Sequence, residues 1–180
     1  MSAEGTALIR GNHDERYLRD KDFDVSRFEW VKDYAELHDN KRKIVLMHYP
    51  VFCYNGRFRR GEDGTPLTYM LHGHIHKTED QVLVDKFCAE TRATMRKSAH
   101  QETAQPVPCQ MINCFCMYSD YTPLTLEEWI EYDQRRRTFL CEGRQEGVDT
   151  LKFELICFAL QGIITVDHHL EVRYGLFILR

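Results

Sequence analysis

An α/β fold is the expectation for this chain of 180 residues, on three grounds. Apolar runs of strand length recur along it, among them TALIR (6–10), KIVLMHY (43–49) and MINCFCMYS (111–119). A helix-patterned segment with its own start signal, TPLTLEEWIEYDQRRR (122–137), follows the last of these runs. Several runs also end directly in polar residues, and strand ends are where α/β proteins gather their sites.

Residues 6–10 (TALIR) read as a short buried strand that stops at Gly11. Residues 31–49 read as two strands, VKDYAEL and KIVLMHY, joined by a polar turn at His38-Asp39-Asn40-Lys41. The second is an unbroken apolar run, the pattern of a strand covered on both faces, and Pro50 stops it. Residues 53–70, with Asn55-Gly56, three arginines and Gly61–Gly64, predict a long loop. Glu79 to Lys97 is expected to be helical, although its apolar positions fit no single period cleanly. Residues 98–110 are polar with two prolines and predict a surface loop, and MINCFCMYS (111–119) a strand. In the helix that follows, Thr125 and Glu128 have the spacing of a capping box, and Leu126, Trp129 and Ile130 form its apolar stripe. Residues 1–138 read as one domain and 139–180 as an atypical C-terminal extension, with a linker-like stretch from Gly143 to Gly147.

Hydrophobic content of 43% with 29% charged residues is that of a globular protein. A net charge of −4 does not point to nucleic acid as a partner, and the basic clusters Arg92–Lys97 and Arg135–Arg137 read as solvated helix faces. The first residues, MSAEGTA, lack a secretory pattern, no apolar run is long enough to span a bilayer, and the seven cysteines are odd in number. A cytoplasmic protein with free thiols is expected.

The chemistry lies in the histidines. Asn12, His13, His48, His74 and His76 all follow strand-like runs. In extended backbone, His74 and His76 at i and i+2 would point to one face and reach one centre. Imidazole is the commonest metal ligand, and nitrogen with oxygen donors suits Zn, Mn, Fe or Ni better than Ca or Mg. Each segment alone has a plainer reading: a surface histidine pair, a strand-end histidine, or a turn favoured by Asn and Asp.

Together, GNHDE (11–15), VLMHYPV (45–51) and HGHIH (72–76) resemble the third, fourth and fifth signature blocks of the calcineurin-like metallophosphoesterases, in that order. The small bacterial phosphoesterases are the most similar subgroup, on Tyr54-Asn55-Gly56 and Pro123–Glu128 as well, and the resemblance covers residues 6–135. It implies a layered α/β sandwich with a mixed sheet, two divalent ions (Mn, Fe, Zn or Ni), and hydrolysis of a small phosphomonoester or phosphodiester by metal-activated hydroxide. It also implies site roles. Asn12, His48 and His74 would ligate one metal and His76 the other. His13 would face the phosphoryl group, Asp14 would orient His13, and Arg10 and Arg57 would contact phosphate.

The family's first two blocks, an Asp-x-His and a Gly-Asp whose carboxylate bridges the metals, have no counterpart before residue 11, so an incomplete version of the fold is expected. GIITVDHHLEV (162–172) supplies an Asp-x-His after a strand, making Asp167 and His169 candidate replacement ligands in a permuted arrangement. That run also resembles the DHH phosphoesterases, whose other acidic motifs are not evident. Two alternatives stay open: a catalytically impaired metal-binding remnant, and a one-metal hydrolase on His48, His74 and His76. A homodimer is open as well. Cys109, Cys114 and Cys116 lack a fourth ligand at a convincing spacing and read as small buried residues.

Overall fold

The structure, a computed structural model, describes residues 6–97, 99 and 102–142, and the backbone of three short strands further on. The fold is α/β. In chain order the elements are β1 (Ala7–Ile9), α1 (Asp14–Leu18), β2 (Trp30–Lys32), β3 (Tyr34–Asp39), β4 (Arg42–Met47), β5 (Thr68–His72) and α2 (Glu79–Ala93). There follow β6 (Met95–Arg96), β7 (Gln105–Pro106), β8 (Met111–Asn113), α3 (Leu126–Glu142), β9 (Ile164–Thr165), β10 (Glu171–Arg173) and β11 (Leu176–Ile178).

A mixed sheet in the order β3-β4-β5-β8 is the centre of the molecule; β3 pairs antiparallel with β4, whereas β4, β5 and β8 run parallel. The alternation of side chains along these strands fills a core on each face. Ile44, Leu46, Tyr69, Leu71 and Ile112 point to one side and pack with Ala7 and Ile9 of β1 and with Leu126 and Trp129 of α3. Val45, Met70 and Met111 point to the other and pack with Val84 and Cys88 of α2, Tyr54, Ile75 and Cys109. The apolar run of β4 is thus covered on both faces, as its composition predicted. Trp129 is fully buried. Because β4, β5 and β8 are parallel, the residues after them emerge at one edge of the sheet.

A second sheet has the order β10-β11-β9-β1-β2. In it β1 pairs parallel with β2, and β9 runs antiparallel to β1 with Ile164 opposite Ile9. Asp167 and His169, and the linker-like stretch from Gly143 to Gly147, lie outside the described residues.

Several expectations need correction. VKDYAEL is not one strand: the chain leaves the second sheet after Lys32 and enters the central sheet at Tyr34. The break falls at Asp33, whose carboxylate accepts both arms of the Arg10 guanidinium at 2.7 Å. The β3–β4 turn is shorter than read, only Asn40 and Lys41, both with positive φ (46° and 69°), which a tight two-residue hairpin requires. MINCFCMYS is a strand only to Asn113; a 3-10 turn over Cys116–Ser119 follows. The segment 98–110 is not all loop, because β7 pairs with β6, and not all surface, because Val107 and Cys109 are buried. Arg136 and Arg137 are not on a solvated face either; both are largely buried between α3 and α2, bonded to Asp85 and Asp133.

The start of α3 is as the sequence predicts. Thr125 N donates to Glu128 Oε2 at 2.7 Å, and Glu128 N donates to Thr125 Oγ1 at 3.3 Å. Thr125→Ala is expected to lower stability by about 1 kcal/mol, read as a shift of the urea midpoint with an unchanged slope.

Candidate metal centre

Three side chains from three strand ends meet at the edge of the central sheet. The chain turns sharply after β1, and Asn12 follows Gly11. His48 comes directly after β4, and His74 two residues after β5. Asn12 Oδ1 lies 2.8 Å from His48 Nε2 and 3.2 Å from His74 Nδ1, and the two imidazole nitrogens are 3.3 Å apart.

Without a cation, a ring N–H of either histidine can donate to Asn12 Oδ1; with both nitrogens deprotonated the three lone pairs would repel unless a cation lay among them. With metal–nitrogen distances near 2.1 Å, cis ligands are separated by about 3.0 Å in an octahedral shell and about 3.4 Å in a tetrahedral one. The observed edges fit a facial set of three ligands on one ion. Two imidazoles and an amide oxygen suit a first-row divalent metal, and as neutral donors they leave its charge for an anion to balance. Among the described residues no group of three or more His, Cys, Asp and Glu side chains could hold a metal; this set reaches three donors through an asparagine.

Local structure fixes each donor. A Cβ on Gly11 would lie 2.9 Å from Cε1 and Nδ1 of the His48 ring, so only glycine lets the turn after β1 pack on that imidazole. The Asp14 carboxylate locks the turn by accepting the Gly11 N–H at 2.6 Å. Burial pushes the Asp14 carboxyl up, opposed by the Gly11 N–H and by His13. Tyr49 packs edge-on against both imidazole rings, with centroids 5.1 Å from His48 and 4.4 Å from His74. His74 and His76 both have left-handed backbone (φ 64° and 48°). Such strain in non-glycine residues tends to collect at functional sites.

The extended spacing expected for GHIH is therefore absent. β5 ends at His72, and the turn sends only His74 to Asn12 and His48. His76 stacks on Phe115 instead (4.6 Å, 18° between planes), so a centre made by His48, His74 and His76 is not what the structure assembles. Asn113, at the end of β8, holds this turn: its amide donates to the His76 carbonyl at 2.8 Å and to Gln81 Oε1 at 2.7 Å. Neither Asn113 nor Tyr49 is found by the sequence reading. For Asn113 the signal was there, a polar residue closing an apolar strand as in the other blocks.

The other expected residues have protein partners. Asp14 bonds to the Gly11 amide rather than to His13. Arg10 is forked on Asp33, and Arg57 donates to the Phe52 carbonyl at 2.9 Å. A phosphate reaching either arginine would compete with that partner. His13 is exposed on the turn beside Asn12.

Burial holds His48 down to about 4, with the neighbouring histidines adding to the effect, so at neutral pH the ring is already the neutral form a metal needs. Burial holds the wholly enclosed His72 at about 4 too, against a hydrogen bond to the Gly73 carbonyl. Both are depressed below the unfolded value near 6.5, so the unfolded chain takes up protons first as pH falls. Stability is expected to be lost between pH 6.5 and 4, with His72 alone contributing about 2 kcal/mol between pH 7.5 and 5. Urea midpoints at the two pH values measure it.

Gly11→Ala is expected to weaken metal binding on the order of 10–100-fold by pushing the His48 ring aside. The stability of the metal-free protein should fall by less than the loss of a core side chain would cost. Calorimetric titration with Mn or Zn, beside urea unfolding, checks both.

No family model matches the chain, and no curated protein and no solved structure matches it.

Proposed function

We propose that this protein is a metal-dependent phosphoesterase acting on a small phosphomonoester or phosphodiester. The observation that carries the reading is the meeting of Asn12 Oδ1, His48 Nε2 and His74 Nδ1 within 3.3 Å at the edge of a mixed sheet. The order of the GNHDE, VLMHYPV and HGHIH blocks supports it, as does a mixed α/β fold compatible with the family's layered sandwich.

Asn12, His48 and His74 would hold the ion. A dication bound there would polarise a phosphoryl oxygen and lower the pKa of the attacking water. His13, exposed beside Asn12, would stabilise or protonate the leaving oxygen. Asp14 fixes the turn that presents both residues. His76, held through its carbonyl by Asn113, is the candidate for a second ion. Arg10 would offer its guanidinium to phosphate on leaving Asp33.

The specific observation behind a second reading is that the assembled donors number three and serve one ion. That favours a mononuclear centre, whether hydrolytic or only metal-binding. Elemental analysis after loading with manganese, with turnover of aryl phosphomonoesters and phosphodiesters, separates the readings. Two ions and turnover are expected of the two-metal phosphoesterase. One ion with turnover supports the mononuclear hydrolase, and one ion without it a metal-binding remnant. No bound ion overturns all three.

A further inference from the structure

We propose that Cys88 and Cys109 form a peroxide-oxidisable dithiol, which closes to a disulfide between α2 and the segment leading into β8. The two sulfurs lie 3.6 Å apart, and both thiols are free and buried in the core between α2 and the central sheet. Disulfide formation needs such a pair to close by about 1.5 Å, within reach of side-chain rotation where backbones are already adjacent.

A second observation distinguishes the pair from ordinary small core residues. Arg137 lies close enough to Cys88 for its positive charge to draw the thiol down. Two of its nitrogens are held by Asp133 and by the Met111 carbonyl, and Nη1, 3.9 Å from Asp85 Oδ1, is buried without a hydrogen-bond partner. A thiolate on Cys88 would satisfy it. Cys109 Sγ donates to Cys88 Sγ, and this bond together with Arg137 draws the Cys88 thiol down, the arrangement of an attacking sulfur on Cys88 and a resolving one on Cys109.

The chemistry balances with hydrogen peroxide, a reagent little larger than water, as oxidant. The Cys88 thiolate attacks one peroxide oxygen, the O–O bond breaks, and the departing hydroxide takes up the thiol proton as water. Cys109 then attacks the sulfur of the resulting sulfenic acid; the S–O bond breaks, and hydroxide leaves with the Cys109 proton as a second water. Two thiols and one peroxide give one disulfide and two waters. The bond would span the seam on which the site turn rests, because α2 begins directly after that turn and Asn113 of β8 ties His76 to Gln81.

The test is peptide mapping of the full chain after mild peroxide treatment and alkylation, without and with dithiothreitol. A Cys88–Cys109 cross-linked peptide that dithiothreitol removes is expected, together with a higher melting temperature in the oxidised protein. In Cys109→Ala the cross-link should vanish and Cys88 should accumulate as sulfenic acid, trapped by dimedone. Cys88→Ala should leave Cys109 unoxidised. Should either variant fail to fold, the wild-type map still decides. Both thiols alkylated after peroxide has oxidised the exposed Cys53, or either one cross-linked elsewhere, overturns the proposal.

Discussion

His48→Ala is expected to abolish metal binding at the site in practice, lowering affinity by on the order of 100-fold or more, since even residues that only orient a ligand cost 10–100-fold. The reason is geometric. Asn12 and His74 would remain 3.2 Å apart, a two-donor fragment, and the nitrogen that completes the triangle would be gone. Gly11 would lose the ring it packs against, and Tyr49 one of its two edge-on partners. Any phosphoesterase turnover that depends on the ion should fall with it. Calorimetric titration with manganese gives the affinity, and aryl phosphate turnover at saturating metal gives the activity. Because the ring sits at a strand end, circular dichroism of the variant should match that of the wild type. An unchanged affinity would show that the ion is held elsewhere.

Asp133→Ala is expected to have the largest effect on stability, about 3–5 kcal/mol, the usual cost of stranding buried cations. Asp133 accepts from Arg136 Nη2 at 2.9 Å and from Arg137 Nε at 2.6 Å, and its side chain is only 6% exposed. Arg136 keeps two bonds to Asp85, so its loss is partial. Arg137 would retain one hydrogen bond, to the Met111 carbonyl at 2.7 Å, and a longer ion-pair contact of Nη1 with Asp85 at 3.9 Å. The network joins α3 to α2 and to β8, so its loss loosens the support beneath the site turn. Asp133→Asn, which keeps one oxygen acceptor, should cost less. Urea unfolding of the two variants beside the wild type gives the order. Equal stability of all three would mean that the helices pack without the ion pairs.

Local interactions made much of this molecule legible from its residues. The middle of β4 is apolar on both faces of the pleat, and Ile44, Val45 and Leu46 are all fully buried. The capping box at Thr125 is a contact three residues long and appears as read. Asn12, His13, His48, His74 and His76 could be picked out because each comes within a few residues of the end of an apolar run.

What the sequence by itself determined was thus an α/β chain, its main strands and last helix, and the five strand-end candidates among which three converge. Tertiary structure decided the rest, because the deciding partners are distant in sequence. Arg10 is engaged by Asp33, 23 residues away, and Arg136 by Asp85, 51 residues away, so neither the occupied guanidinium nor the buried one shows in local charge patterning. The division of VKDYAEL between two sheets depends on which strands offered unpaired edges, and no residue within it encodes that. The separation of His74 from His76 rests on two left-handed backbones sustained by Asn113, 37 residues after His76. Spacing in a sequence assumes a regular backbone, and a site loop held in strain by the packed core around it is where that assumption fails.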